Sequence, residues 1–266
     1  MLEAERHSLI LRLLQERSIV SIGDLAQLLG ASDATTRRDI SALAVTGQLR
    51  RVRGGAEAIQ PRHEPHLVGT PFSLNRSVAV QQKRAIGRAA AALLEDGDSI
   101  VVTAGTTTLA MVEFLAGRQV DILTNSIPIM TRLHETSRNR VSLPGGTIFR
   151  EQNIIISPFE DDTVESFWAQ KLFTGCYGLN QHGLMEADPL IVQAQARLLK
   201  RTEQIIVMAD SRKLRQRSSI IVLPLSRINT LITDDGATDS DLADLRAAGV
   251  KVIIVSADTM QESITA

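Results

Sequence analysis

The sequence predicts an α/β fold class in two parts: an N-terminal winged helix-turn-helix domain and a larger, mostly parallel α/β domain. Three observations predict it. The N-terminal part carries three helical apolar patterns and then an arginine-rich strand that ends at a Gly-Gly pair. A proline-containing stretch without periodicity follows. Beyond it, short apolar runs alternate with helical patterns, as in a parallel sheet covered on both faces.

Length and composition agree with this division. The 266 residues suffice for one domain of about 60 residues and one of about 180. We place the winged helix-turn-helix domain at residues 1–58, a linker at 59–78 and the α/β domain at 79–260. The linker holds His63 and His66, but no third ligand accompanies them, so we expect no metal site.

Cysteine usage and hydropathy bound the setting of the protein. Cys176 is the only cysteine, which excludes an internal disulfide and a cysteine-based zinc site. A reduced, cytoplasmic setting follows as the default. The N-terminus lacks the basic start and apolar core of a signal peptide, and no run approaches the roughly 18 apolar residues of a membrane helix. We therefore expect a cytoplasmic protein with no membrane partner and no cofactor.

The N-terminal domain is predicted from helix caps and turn residues. Ser21 is a suitable N-cap for the second helix, and Gly30 follows that helix where a C-cap favours glycine. Ser32 caps the third helix, so that a short turn separates two helices, as in a helix-turn-helix. Residues 49–53 alternate as a strand before the Gly54–Gly55 turn. The three predicted helices span residues 3–16, 22–29 and 33–45.

Arginines concentrate in this domain. Between Thr35 and Gly55 there are five arginines against one acid, Asp39, a local net charge of +4. Local charge matters because the Debye length is about 8–10 Å in physiological salt. An Arg-Arg pair alone is typical of a solvated helix face. Here it occurs together with the Gly30 turn, the Ser32 cap and the arginine-rich hairpin that turns at Gly54–Gly55, which we call the wing. This combination favours double-stranded operator DNA as the partner. The predicted DNA-binding residues are Ser32, Thr35, Thr36, Arg37, Arg38, Arg50, Arg51, Arg53, Gly54 and Gly55.

In the larger domain the sharpest feature follows the strand predicted over residues 99–103. Gly105 allows a tight turn, and Thr106, Thr107 and Thr108 begin the next helix. Free N–H groups, the positive end of the helix dipole and three hydroxyls favour a phosphate or a carboxylate. The motif is neither a Walker A loop nor a GxGxxG fingerprint, so it does not indicate a nucleotide. A helix capped by threonine and nothing more is the alternative.

Polar residues also follow three other predicted strands. Asn125 and Ser126 follow the strand over residues 120–124, Gly145 and Gly146 follow that over 140–143, and Asp210 and Lys213 follow that over 204–209. The carboxyl ends of parallel strands meet at one edge of a sheet, where ligands bind. We therefore expect a basin for an anionic, sugar-sized molecule.

Two segments resemble the DeoR family of bacterial sugar-metabolism repressors. They are Ser32–Ile40 together with Gly47, and Arg53-Gly54-Gly55-Ala56. The resemblance continues through most of the chain. It implies that the larger domain is an effector-binding domain related in fold to ribose-5-phosphate isomerase and the CoA transferases.

The resemblance also implies roles for individual residues. Gly105, Thr106 and Thr107 would hold the ligand phosphate. The segment 173–179 looks like the family's Phe-x-Gly-x-x-Gly. The chain departs from the family where many relatives carry a glutamate before a basic residue, because Gln195 precedes Arg197 here, and this leaves the ligand class open. The predicted effector-binding residues are Gly105, Thr106, Thr107, Thr108, Asn125, Ser126, Gly145, Gly146, Gly175, Asp188, Asp210 and Lys213.

Three functions are compatible with these features. The first is a homo-oligomeric repressor, a dimer or a tetramer, released from its operator by a phosphorylated sugar or sugar-acid effector. The second is a sugar-phosphate isomerase or transferase with a DNA-binding appendage, whose base would come from Glu113, Glu186, Asp188 or Asp210. The third makes the larger domain an oligomerisation module only. No paired carboxylates or nucleophile arrangement supports catalysis, so we predict a regulator without catalytic residues.

Overall fold

The computed structural model describes residues 3–17, 19–59, 72–159 and 162–257 of the chain. The chain divides into two compact units, Met1–Val68 and Gly69–Ala266. Each unit has its own apolar core.

The first unit is a three-helix domain with a small antiparallel sheet. Its apolar core joins all three helices to the strands through Ile10, Leu25, Ile40, Leu49 and Ala56. The strand order is β1-β3-β2. The elements are α1 (Glu3–Arg17), β1 (Ile19–Ser21), α2 (Ile22–Leu29), α3 (Asp33–Val45), β2 (Leu49–Val52) and β3 (Gly55–Ala58).

The caps predicted for α2 and α3 are confirmed. The Ser21 hydroxyl accepts a hydrogen bond from the Asp24 N–H, and the Ser32 hydroxyl accepts one from the Thr35 N–H. Gly30 ends α2 with φ of 58°, the left-handed conformation that favours glycine. Two capped helices with a sharp turn between them, followed by a β-hairpin, form a winged helix-turn-helix.

The second unit is built on a seven-stranded sheet in which every adjacent pair is parallel. The order is β15-β14-β12-β9-β4-β5-β6. The seven strands are β4 (Ser99–Val102), β5 (Asp121–Leu123), β6 (Arg140–Ser142), β9 (Ala169–Thr174), β12 (Thr202–Met208), β14 (Thr230–Asp234) and β15 (Lys251–Val255). The four apolar runs predicted as strands over residues 99–103, 120–124, 140–143 and 204–209 correspond to β4, β5, β6 and β12.

Helices cover both faces of this sheet. Ile100 and Val102 of β4 belong to one apolar cluster, and Val101 between them belongs to the other. The first cluster includes residues of α5, α6 and α7, and the second includes residues of α9 and α10. The helices are α4 (Phe72–Arg76), α5 (Val80–Ala91), α6 (Thr106–Met111), α7 (Ile127–Thr136), α8 (Thr163–Ser166), α9 (Pro189–Lys200) and α10 (Asp239–Ala247).

Three features differ from the sequence expectations. Part of the expected linker is helical, since α4 spans Phe72–Arg76, and His63 and His66 lie outside the described residues. A hairpin joins β7 (Thr147–Phe149) to β8 (Ile154–Ile156). A separate antiparallel sheet has the order β10-β11-β13, formed by Gly178–Asn180, Gly183–Glu186 and Ile220–Leu223. These strands have three or four residues each, too few for a clear alternation.

Helix α5 approaches α6 closely at Gly87, where a Cβ atom would lie 2.7 Å from the carbonyl carbon of Ala110. We expect Gly87→Ala to lower the free energy of unfolding by about 1–3 kcal/mol, because the added methyl overpacks a backbone contact. Gly117→Ala is the matched control, since a Cβ atom there meets nothing within 4 Å. Urea denaturation of the full chain measures both changes. Equal effects of the two variants would contradict the close contact.

Candidate nucleic-acid interface and ligand site

The first turns of α3 present arginines to solvent. Arg37 and Arg38 are both exposed, and the Arg37 guanidinium lies 4.0 Å from the carboxylate of Asp33. Ser32 is also exposed, and its hydroxyl lies 2.9 Å from the hydroxyl of the partly exposed Thr35. The N-terminal end of α3 therefore offers cations and hydroxyls on an accessible helix end.

Two residues predicted for this interface have structural roles instead. Thr36 is fully buried, and its hydroxyl donates a hydrogen bond to the Ser32 carbonyl. Gly55 is buried against β1, where a Cβ atom would lie 2.3 Å from the Val20 carbonyl oxygen. The expectation for both is corrected: Thr36 closes the first turn of α3, and Gly55 permits β1 to pair with β3. We leave them out of the interface.

The wing carries two further exposed arginines, Arg51 and Arg53. The third, Arg50, donates a hydrogen bond of 2.8 Å to Glu57 across the hairpin, so its charge is balanced locally. Gly54 turns the hairpin with φ of 84°. The exposed arginines of α3 and of the wing give the winged helix-turn-helix a basic surface, which is the charge that a phosphate backbone requires.

Asp39, the acid among the five arginines, does not reduce this surface charge. It is buried and accepts hydrogen bonds of 2.7 and 3.0 Å from Arg6 of α1, which hold the pKa of the Asp39 carboxyl below its usual range. His7 and Glu3 complete a cluster whose ligand atoms lie within 4.8 Å of one another. Both Asp39 oxygens already accept from Arg6, so the cluster is an ion pair that joins α1 to α3.

In the larger unit, the sheet order brings the carboxyl ends of four central strands to one edge. Two hydrogen bonds join their loops. The side-chain oxygen of Asn125, after β5, accepts from the Ala104 N–H after β4 at 3.0 Å, and the hydroxyls of Thr103 and Thr174 lie 2.9 Å apart. These bonds join the carboxyl ends of β4, β5 and β9 into one continuous polar edge. The strand-end pattern predicts β4 and β5 at this edge but does not include β9.

A cavity of about 570 Å³ opens beside α6, and Thr106 lines it. Thr106 is partly exposed, whereas Thr107 and Thr108 are buried and the Thr108 hydroxyl donates to the Gly105 carbonyl at 3.0 Å. Among the described residues predicted to bind effector, Thr106 is the one on this cavity wall. Four cations, Arg76, Lys83, Arg84 and Arg132, share the wall with two acids, Glu113 and Glu135.

Lys83 is the residue that sequence reasoning missed. Its side chain is almost fully buried, and its ammonium donates a 2.6 Å hydrogen bond to the Asn75 carbonyl. Burial lowers the pKa of Lys83 to about 8, against an opposing effect of Asp210, and Arg212 and Lys213 lower it further. A bound anion would relieve this cost. The signal was present in the sequence, since Lys83 shares the helical spacing of the buried Ile86 and Ala90.

Asp210 and Lys213 lie at the end of β12 and are both buried. Asp210 accepts hydrogen bonds of 2.8 and 3.0 Å from Arg212, while Lys213 donates one of 2.9 Å to Gln216. The Lys213 ammonium also lies 5.4 Å from the centre of the Tyr177 ring, within the range of a cation–π contact. These charges extend the polar edge beyond β9 to β12.

Another group of polar residues lies where β11 meets α9. Asp188 caps α9, accepting from the Leu190 N–H at 2.8 Å through one carboxylate oxygen. Gln195, two turns along the helix, donates a 3.2 Å hydrogen bond to Glu186, the last residue of β11. All three side chains are buried, and burial raises the pKa of Glu186 to about 7.

The remaining predicted ligand residues are mainly structural or exposed. Ser126 is fully buried as the N-cap of α7. Gly145 and Gly146 lie in the exposed loop after β6, where a Cβ atom on Gly146 would lie 2.2 Å from the Ile156 carbonyl oxygen. Gly175 is partly exposed, and its carbonyl accepts from the Thr174 hydroxyl. The neighbouring Cys176 is a poor nucleophile, because burial raises the pKa of its thiol.

Comparison with known proteins identifies the class of protein. The description of a DeoR-like helix-turn-helix domain matches residues 6–62, and that of the DeoR C terminal sensor domain matches residues 78–235. The chain belongs to the DeoR family and is a DeoR-type transcriptional repressor. The part of the chain that the structure describes has no helix with both the length and the apolar character needed to cross a membrane.

Individual relatives are regulators as well. The chain is 32% identical over 257 residues to the HTH-type transcriptional regulator UlaR of Shigella dysenteriae and of Escherichia coli O1:K1, covering 96% of this chain and 100% of each relative. The full-length sorbitol operon regulator SorC of Klebsiella pneumoniae is 14% identical, with a TM-score of 0.41 over 92% of this chain and 99% of that one. Ribose 5-phosphate isomerase of Methanocaldococcus jannaschii is 12% identical, with a TM-score of 0.38 over 49% and 52%. The two family matches and the UlaR relatives favour a regulator over an enzyme.

Burial of Glu186 makes stability depend on pH. Its pKa is raised in the folded state, so the neutral form is favoured and the free energy of unfolding falls as pH rises from about 4.5 to about 7. We expect the free energy of unfolding of Glu186→Gln, relative to that of the unmodified chain, to rise by about 2–3 kcal/mol when the pH is raised from about 5 to about 8. Denaturant unfolding at both pH values measures this gain. The exposed Glu95→Gln is the control, and an equal response of the two variants would contradict the burial of an ionisable carboxyl.

Proposed function

We propose that this repressor is released from a carbohydrate operon by a phosphorylated sugar or sugar acid that binds at the carboxyl ends of the central strands. One observation carries this proposal. Thr106 lines a cavity of about 570 Å³ together with the buried Lys83, whose lowered pKa means that its charge lacks full compensation. A phosphate supplies the missing negative charge and accepts hydrogen bonds from both groups.

The rest of the effector would extend along the polar edge. Lys213 and Asp210 offer a donor and a charged acceptor at the end of β12, and Asp188 offers a carboxylate at the start of α9. Such a mixed set suits the hydroxyls of a sugar-sized molecule. The segment Val52–Ile59 resembles that of the L-ascorbate utilisation repressor, which makes L-ascorbate 6-phosphate one candidate among the sugar-acid phosphates.

We assign operator binding to the exposed groups of the winged helix-turn-helix. Arg37, Arg38 and Thr35 on α3 would enter the major groove, while Arg51 and Arg53 on the wing would contact phosphates. Palindromic operators are read by symmetric oligomers, and we propose a homo-oligomer in the cytoplasm. Effector would lower operator affinity by binding one of two states more tightly, a coupling typically of about 1–3 kcal/mol.

The experiment that tests this function is an operator gel shift of the full chain, titrated with a panel of phosphorylated sugars, sugar alcohols and sugar acids. At least one of them releases the DNA, while the unphosphorylated counterparts do not. If no member of the panel changes operator affinity, the sensor function is wrong and the larger domain acts only in oligomerisation.

Thr106→Ala tests the cavity. We expect effector affinity to fall about tenfold, because one hydrogen bond to a charged group is lost, while operator affinity without effector stays unchanged. Calorimetry with the effector found in the gel shift measures the first quantity. Thr136→Ala is the control, since Thr136 is exposed and its hydroxyl donates a hydrogen bond within α7, to the Arg132 carbonyl. Unchanged effector affinity in Thr106→Ala would place the phosphate elsewhere.

Arg38→Ala and Arg51→Ala separate the two kinds of DNA contact. We expect Arg38→Ala to weaken specific binding by about 1–3 kcal/mol and to relax sequence preference at one operator position. Arg51→Ala should weaken binding equally on all sequences and reduce the salt slope by about 1. Fluorescence anisotropy on operator and scrambled duplexes, over a range of salt concentrations, measures both. An identical loss on both duplexes for Arg38→Ala would assign it to phosphate.

A further inference from the structure

The junction of β11 and α9 holds two buried hydrogen-bond acceptors for which the described part of the chain supplies no donor. The side-chain oxygen of Gln195 and the second carboxylate oxygen of Asp188 are buried, and within the described residues neither has a hydrogen-bond partner. Both side chains are only 3% exposed. Buried polar atoms are normally paired, and an unpaired one loses free energy relative to water. A ligand that brings O–H or N–H donors would satisfy both.

The two acceptors come from the start of α9 and from the helix itself. Asp188 is the N-cap of α9, and Gln195 follows it by seven residues, about two helical turns. Glu186 faces them from the end of β11. The charged and titratable groups around Glu186 are Asp188, at the start of α9, Lys213, in the turn after β12, and Cys176, in the loop after β9.

Glu186 sets the orientation of the Gln195 amide. An ionised carboxylate only accepts hydrogen bonds, so the NH₂ group of Gln195 turns toward it and the amide oxygen turns away. A protonated carboxyl carries an O–H donor. That O–H would donate a hydrogen bond to the amide oxygen of Gln195, so that the Gln195 NH₂ group would point away from Glu186. Burial raises the pKa of Glu186 to about 7, so both forms are populated near neutral pH.

We propose that the Glu186–Gln195 pair is a proton-dependent selector in the effector site, in which Glu186 is a positioning residue. With Glu186 ionised, Gln195 and Asp188 accept hydrogen bonds from the hydroxyls of a polyol chain. With a proton from solvent on Glu186, the Gln195 NH₂ group faces the ligand and donates to a carboxylate. This inference rests on the proposed function, because it assumes a phosphorylated sugar derivative as the effector.

The test compares two probes that differ only at one end of a six-carbon chain. Sorbitol 6-phosphate carries a hydroxyl where 6-phosphogluconate carries a carboxylate, and their common phosphate titrates alike and cancels in the ratio of affinities. Calorimetry on the full chain measures both at pH about 8 and about 6. We expect the ratio of dissociation constants to shift about tenfold toward the sugar acid at the lower pH.

Two variants link that shift to Glu186. In Glu186→Gln the ratio no longer changes with pH, because the side chain does not titrate, while Glu95→Gln keeps the wild-type change. A second readout needs no ligand. The ¹⁵N-labelled side-chain amide of Gln195, assigned by its disappearance in Gln195→Glu, changes its chemical shift with a midpoint near 7 in the unmodified chain and not in Glu186→Gln.

The outcomes separate this inference from the proposed function. Three outcomes would overturn the selector. The ratio of the two dissociation constants could be independent of pH, its pH dependence could persist in Glu186→Gln, or both probes could fail to bind at either pH. If another phosphorylated sugar still releases the operator, the proposed function stands without it. If no phosphorylated compound in the gel-shift panel does so, the proposed function falls as well.

Discussion

The effector half of this protein depends on the strand order of its parallel sheet. Because β12, β9, β4 and β5 are neighbours and run in one direction, the four loops that follow them are adjacent. Direct hydrogen bonds then join three of these loops, through Asn125 to Ala104 and through Thr103 to Thr174. The polar groups of residues separated by up to 71 positions in the sequence thus meet at one edge. Thr106, which lines the cavity, follows β4, and the buried Asp210 and Lys213 follow β12.

Burial of charge is what distinguishes this edge from an ordinary polar surface. Lys83, Asp210 and Lys213 are each at most 9% exposed, and removal of such groups from water is costly unless partners compensate. Asp210 is paired with Arg212, but Lys83 retains a lowered pKa despite its bond to Asn75. The phosphate site that we propose depends on this property, since a bound anion would regain the free energy that burial of the cation costs.

Most of the fold could be predicted from the sequence because two local signals, the apolar runs of the strands and the caps of the helices, were strong. The seven strands are buried on both faces, so they appear as continuous apolar runs, and the caps at Ser21 and Ser32 mark helix starts unambiguously. The short antiparallel strands and α4 lack such signals. The individual site residues were less predictable, since type and position do not reveal direction: Thr36 and Gly55 face inward, and Lys83 is buried although lysine is usually exposed.

The two surfaces that we propose to bind anions differ in how their cations are hydrated, and this difference supports a different ligand for each. Arg51 and Arg53 are exposed, so water solvates them and their attraction for anions is screened by salt. Such charges suit a polyanion, whose many phosphates add small contributions and release counterions. Lys83 has lost most of its water already, so in the proposed effector site one phosphate would interact with it in a low dielectric. Binding there demands a small ligand of the right shape, which is the requirement for a specific metabolite signal.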